Sequence, residues 1–313
     1  MTHIAPGPDA PRPLRRGRFL AAPALLALIT VACSPAAPAT GAPGSPNPSG
    51  GPSAGPTAGP TAAPTIEGAI AHPTGPSDVV LRIEETGGLM PVESSLTYTP
   101  TFTLYGDGTV IWRDNLAMPP ASSDNLIRPT PLLTTRLDEG SLQALLAEAI
   151  GPGNLGVAVG PYNELMGADI PSTIFTINAG GIPEPKRVEV VALSPEAHPK
   201  NLQVVTALAG LAEKLRTFDT LVNEQPYVPA GYRGVLSPTE QAFGPVVDWP
   251  WPDISPDDFG GDNEFFPTRE LTAAEVAVLG IDNIESGVSG FVLQKGDDLF
   301  SFALRPLLPD DLS

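Results

Sequence analysis

The stretch "TFTLYGDGTVIW", residues 101–112, decides the fold. Two strand-like runs flank Gly106-Asp107-Gly108, where glycine makes positive backbone dihedrals cheap, so the segment reads as a β-hairpin. An aspartate between two glycines at such a bend accepts from its own backbone. Asp107 is therefore read as turn chemistry rather than as a metal ligand or catalytic acid. A hairpin here also sets the expectation for the surrounding strands, which is antiparallel pairing.

Upstream, "DVVLRIEE" (residues 78–85) carries the apolar run and the β-branched Val79, Val80 and Ile83 of a strand. Downstream, Asp138 is placed to cap a helix whose Leu142, Leu145, Leu146 and Ala149 share one face. "STIFTI" (172–177) and "RVEVVAL" (187–193) are two more strands, joined by a loop carrying Gly180, Gly181 and Pro183. A second helix over about 200–218 shows the stripe Leu202, Val205, Leu208, Ala212 and Leu215. The order is strand pair, helix, strand pair, helix. That predicts an α+β fold over residues 66–222: a mainly antiparallel sheet of tandem strand-strand-helix units. Each helix has a single apolar face to bury, so both helices are expected on one face of the sheet.

Residues 223–313 are expected to pack back on that sheet and extend it. Residues 221–262 read as proline-rich and irregular, with a tryptophan pair in "DWPWPD" (248–253) as the seam. A short helix, "LTAAEVAVLG" (271–280), then leads into a hairpin, with "GFVLQ" and "LFSFALRPL" meeting across Lys295-Gly296-Asp297-Asp298.

The N-terminus has a different character. Arg12, Arg15, Arg16 and Arg18 precede an apolar run from Phe19 to Ala32, which is the layout of a secretory signal peptide over residues 1–32. The run is shorter than the roughly 20 residues that cross a bilayer. The chain's single cysteine, Cys33, follows it directly. Residues 34–65 are almost entirely Pro, Ala, Gly, Ser and Thr, with the repeats "GPSA", "GPTA" and "GPTA" at 51–62. Side chains this small cannot offset the entropy of ordering, so residues 33–65 read as an extended linker.

The sequence Ile29-Thr30-Val31-Ala32-Cys33 resembles the lipobox of bacterial lipoproteins, with small Ala32 before the cysteine and Thr30 where leucine is commonest. The resemblance implies cleavage ahead of Cys33 and a diacylglycerol on its sulfur. Two or more acyl chains anchor a protein stably, at ~0.8 kcal/mol per buried methylene. The globular part also resembles uncharacterised exported lipoproteins of high-GC bacteria. The matching segments run from "FTLYGDGTV" (102–110) through "DIPSTIFT" (169–176) to "LRPLLPDD" (304–311). That family has no assigned catalytic or binding residue to carry over.

The formal charge is −18; residues 1–32 hold four arginines and one acid, so the remainder has 13 basic and 34 acidic residues, near −21. Such a surface repels nucleic-acid phosphates and anionic headgroups, which excludes nucleic acid as a partner and leaves membrane attachment to the lipid. With no second cysteine there is no intrachain disulfide.

Catalytic and cofactor motifs are not legible. S-x-x-K, H-E-x-x-H and G-x-x-x-x-G-K do not occur, G-x-S-x-G occurs only as "GPSAG" (51–55) inside the small-residue linker and not as a strand-to-helix elbow, and no cofactor is expected. His72 and His198 each neighbour proline and read as exposed loop residues. In "DISPDDFGGDNE" (253–264), Asp253, Ser255, Asp257 and Glu264 fall at the first, third, fifth and twelfth places of an EF-hand-like calcium loop. Asp258, however, stands at the sixth place, where the turn needs glycine. Trp249 and Trp251 are candidates for a binding surface, weighed against a role at the seam. The leading expectation is a non-enzymatic lipoprotein at the outer face of the cell membrane, anchored through Cys33 and meeting an envelope protein or glycan. The alternatives are a carboxylate-dependent hydrolase of cell-wall glycan and a transporter's solute-binding lipoprotein, whose parallel-sheet lobes the hairpins argue against.

Overall fold

The computed structural model describes residues 68–312 except 90–96, 122, 166, 168, 181–183, 219–222 and 262–264. The expected signal peptide, Cys33, the expected linker and Glu264 lie outside the described residues.

The opening hairpin forms as expected. Strand β2 (Phe102–Tyr105) pairs with β3 (Thr109–Arg113), and Asp107 Oδ1 accepts from Thr109 N at 2.9 Å. Gly108 sits at φ +89°, and its amide donates to Tyr105 O at 3.0 Å. A Cβ at Gly108 would collide with the carbonyl of Leu137, whose own amide bonds back to Gly108 O at 2.9 Å. Only glycine fits a bend crossed this closely by another segment.

Around the hairpin the sheet grows in both directions. With β1 (Val79–Gly87), β4 (Leu132–Arg136), β5 (Pro171–Ile177), β6 (Lys186–Val191) and β7 (Gln225–Pro226), the order is β6-β5-β1-β2-β3-β4-β7, antiparallel throughout. Helices α1 (Glu139–Ile150) and α2 (Leu202–Arg216) cover one face. Asp138 caps α1 by accepting from Ser141 N at 2.7 Å. Leu142, Leu146 and Ala149 of α1, with Val205, Leu208, Leu211, Ala212 and Leu215 of α2, bury against Leu81, Ile83, Phe102, Leu104, Val110, Trp112 and Phe175. Leu202, expected in that stripe, lies on the first turn of α2 and is exposed. The α+β architecture read from the sequence holds, with a mainly antiparallel sheet and its helices to one side.

The second half differs from expectation. Apart from the two-residue β7, it does not extend the first sheet. It builds its own, from β8 (Gly231–Thr239), β9 (Val246–Asp248), β10 (Thr268–Thr272), β11 (Val288–Lys295) and β12 (Asp298–Pro306), ordered β10-β8-β12-β11-β9. Only β9 runs parallel to its neighbour. The helix α3 (Ala273–Ala277) is a single capped turn after β10. The β11–β12 hairpin closes as expected, with Lys295 opposite Asp298 and Gly296 at φ +64°.

The tryptophans are not the seam. Trp251 is buried in the second core, packed edge-on against Phe302 at 5.8 Å and against Trp249 at 5.3 Å. The seam lies elsewhere. It is made where Tyr105, Ile111 and Leu132, on the helix-free face of the first sheet, bury Leu308.

Candidate functional site

Alternation along β1, β2 and β3 sends Arg82, Thr103, Tyr105, Ile111 and Arg113 to the face opposite the helices. That face meets the second sheet in two chemically different places.

The first is a clasp. Asp310, in the turn Pro309–Leu312, accepts from Arg82 Nη2 and from Tyr105 OH, both at 2.7 Å. Asp311 takes both ends of the Arg305 guanidinium, at 2.6 and 2.8 Å, and accepts from Leu308 N at 2.8 Å. Arg233 stands 3.6 Å away, and Tyr227 OH donates to Leu307 O at 2.7 Å. Burial raises the Asp311 carboxyl, but Arg305 outweighs it and holds the group below the usual carboxylate range. Burial, then the charge of Asp310, pushes Tyr105 well above the ordinary phenol value. The segment "LRPLLPDD" therefore spells out a structural device: an arginine on a strand, two prolines and two carboxylates that tie the sheets together.

The second place is a cleft of about 210 Å³. Its floor is Arg113, the last residue of β3. Its walls are Val288 of β11, Leu304 of β12, Pro129, Ile127 and Tyr98. Ile127, in the connection between β3 and β4, pairs with Ser289 through two backbone hydrogen bonds of 2.9 Å. The lining is mostly apolar apart from Arg113, the Tyr98 hydroxyl and the alcohols of Thr97 and Ser289.

Arg113 is the anomaly of the molecule. It is 8% exposed, and its guanidinium donates to Thr130 O at 2.6 Å and to Thr99 Oγ1. Neither acceptor carries a charge. Every other arginine among the described residues lies within 3.8 Å of a carboxylate. The neighbouring Tyr98 hydroxyl reaches Glu85 at 3.4 Å, but Glu85 is already held by Arg216, whose Nε donates to it at 2.9 Å. Burial pushes the Arg113 guanidinium down to about 10, so it remains cationic at neutral pH. A buried cation without a counter-charge is costly, whereas a hydrogen-bonded anion brought to it regains a charge-assisted contact in a low dielectric.

A wider cleft, about 530 Å³, lies beside Leu126, Val247, Ile281 and Phe291. Its arginine is satisfied: Arg128 binds Asp124 through two hydrogen bonds of 2.7 and 2.9 Å and donates to Asp282 O.

Of the residues singled out in the sequence, the described ones, Trp249, Trp251, Asp253 and Asp257, fall outside both clefts. Asp253 and Asp257 are exposed, and Asp258 is committed to a local cap, accepting from Ser255 N at 2.6 Å. No group of three or more His, Cys, Asp or Glu that could hold a metal occurs among the described residues. The indole N–H groups of Trp249 and Trp251 donate to Ile254 O and Glu275 O, each at 2.8 Å, so the rings serve the second core. Both histidines correct the expectation of exposure. His198 is fully buried, with Nε2 facing the carbonyls of Val191 and Ala192, and the His72 ring is 6% exposed beside Glu139. Arg113 was not singled out. The signal was present in "TVIWR" (109–113), where a charge ends an otherwise apolar strand on the side shared with Ile111.

Comparison with protein-family models, with curated proteins and with solved structures finds no match to the chain.

Proposed function

We propose that this protein is a lipid-anchored binding protein of the extracytoplasmic face of the cell membrane, with a non-enzymatic role. Its tether is an acylated Cys33, its spacer the proline-rich segment 34–65, and its binding site the cleft floored by Arg113. The observation that carries the reading is that cleft. It offers an apolar wall and a cation that no carboxylate neutralises among the described residues, where the two sheets join, which is the usual character of a ligand pocket: mostly apolar, with few placed polar groups. The spacer supports it, because an extended segment holds the body and its cleft clear of the bilayer. The envelope component bound is expected to be an anion or to present an anionic group.

Fractionation tests the placement. The native chain is expected to sediment with membranes and to partition into detergent. Cys33→Ser is expected to be exported in soluble form with an unchanged fold. Membrane retention of Cys33→Ser at the native level would overturn the proposal.

A further inference from the structure

We infer that the cleft recognises a small carboxylate with a compact apolar body, the carboxylate meeting Arg113 and the body filling the space between Ile127, Pro129, Val288 and Leu304. This deepens the binding reading above and rests on it.

Three observations lead there. The first is charge. The whole body is acidic, yet this cleft presents a guanidinium whose acceptors among the described residues are a carbonyl and an alcohol. A guanidinium has five N–H donors in a planar fork, so directions remain that match a carboxylate. The second is size. The space of about 210 Å³ is below the range of drug-sized pockets but above the ~150 Å³ that accepts a benzene ring. It therefore suits a ring or a short branched chain rather than a polymer segment or a long acyl chain. The third is access. Ile127 stands at the mouth and is 66% exposed, while Arg113 at the floor is buried. The ligand therefore enters head first, carrying its charge past an apolar rim.

The experiment is calorimetry at pH 7 on the full chain carrying Cys33→Ser, which leaves the described residues untouched. Three probes share one ring and differ in charge: phenylacetate, 2-phenylethanol and phenethylamine. Phenylacetate is expected to bind on the order of tenfold tighter than the alcohol, the difference of a charge-assisted contact. The amine is expected not to bind measurably. Arg113→Met should abolish the preference for the acid, and Arg113→Lys should keep the preference at weaker affinity, since the planar fork is lost. Should Arg113→Met fail to fold by circular dichroism, Ile127→Trp decides instead: it narrows the mouth and is expected to weaken phenylacetate binding with an unchanged spectrum. Equal binding of acid and alcohol would overturn the inference and leave a neutral-ligand cleft, so the binding reading would stand. Binding of none of the three would overturn it together with the assignment of the cleft. Fractionation of Cys33→Ser judges the anchor separately from either result.

Discussion

Arg305 and Arg113 are buried to the same degree, each 8% exposed, and both lie at the contact between the two sheets. One grips Asp311 with both ends of its guanidinium. The other has a carbonyl and a threonine hydroxyl. The contrast separates two uses of a buried cation. Where the counter-charge is part of the chain, the arginine is a fastener, and removing it strands a carboxylate. Where no carboxylate pairs with it among the described residues, the arginine is expected to contribute little to holding the protein together, and the proposed partner is a ligand.

The comparison breaks most visibly at the clasp. Arg305→Met leaves Asp311 half-buried with only Leu308 N and the more distant Arg233, and is expected to lower unfolding free energy by about 3 kcal/mol, the low end for a broken buried pair. Urea titration followed by tryptophan fluorescence would measure it. A loss below about 1 kcal/mol would show that the pair is worth no more than a surface bridge.

A pH series sharpens the same contrast. The folded Asp311 carboxyl titrates below its unfolded value, so its contribution is complete above about pH 4 and is lost as pH falls through the folded value. Tyr227 shifts the other way, pushed up to about 12 by burial and then by Asp311 and Asp310. Its contribution is complete below about pH 10 and is lost as pH rises toward 12. Stability against urea should therefore form a plateau with an acid and an alkaline edge. Arg305→Met is expected to flatten the acid edge, and Arg113→Met to leave it in place.

The smallest expected effect is the most telling. Arg113→Met replaces an uncompensated buried charge with an apolar chain of similar length, so stability should change by less than about 1 kcal/mol or rise. The midpoint of the same urea titration reads it. A loss as large as that of Arg305→Met would make Arg113 a second fastener and remove the reason to look for its partner outside the protein.

Much of the first sheet was legible because its signals are local. Gly106 and Gly108 mark a bend, Asp138 marks a helix start, and the leucines of α1 and α2 repeat at helical spacing. The second sheet was hidden by one of its inner strands. β8 contains Gly231, Gly234 and Pro238, residues that read as loop. Each has a reason visible only in three dimensions. A Cβ on Gly234 would press on the ring of Phe302 of the adjacent strand. Pro238 lies beyond the last partner of β10, where no strand on that side asks for its missing N–H. His198 was misread because its neighbours are polar, although carbonyls of Val191 and Ala192 satisfy its Nε2 inside the fold. Arg113 needed the second sheet before its isolation had meaning. Absence of a partner is a property of everything nearby, and local sequence does not contain it.

The clasp also says when the cleft comes into being. Asp310 bonds to Arg82 across 228 positions and to Tyr105 across 205. Contacts this distant carry a heavy loop-closure cost and are favoured late in folding, after both sheets have gathered their nearer partners. A chain synthesised amino end first therefore reaches this closure only once Asp310 has been added. A partly made chain has the floor of the cleft, Arg113, without the walls that Val288 and Leu304 supply, so the proposed binding would report a completed fold.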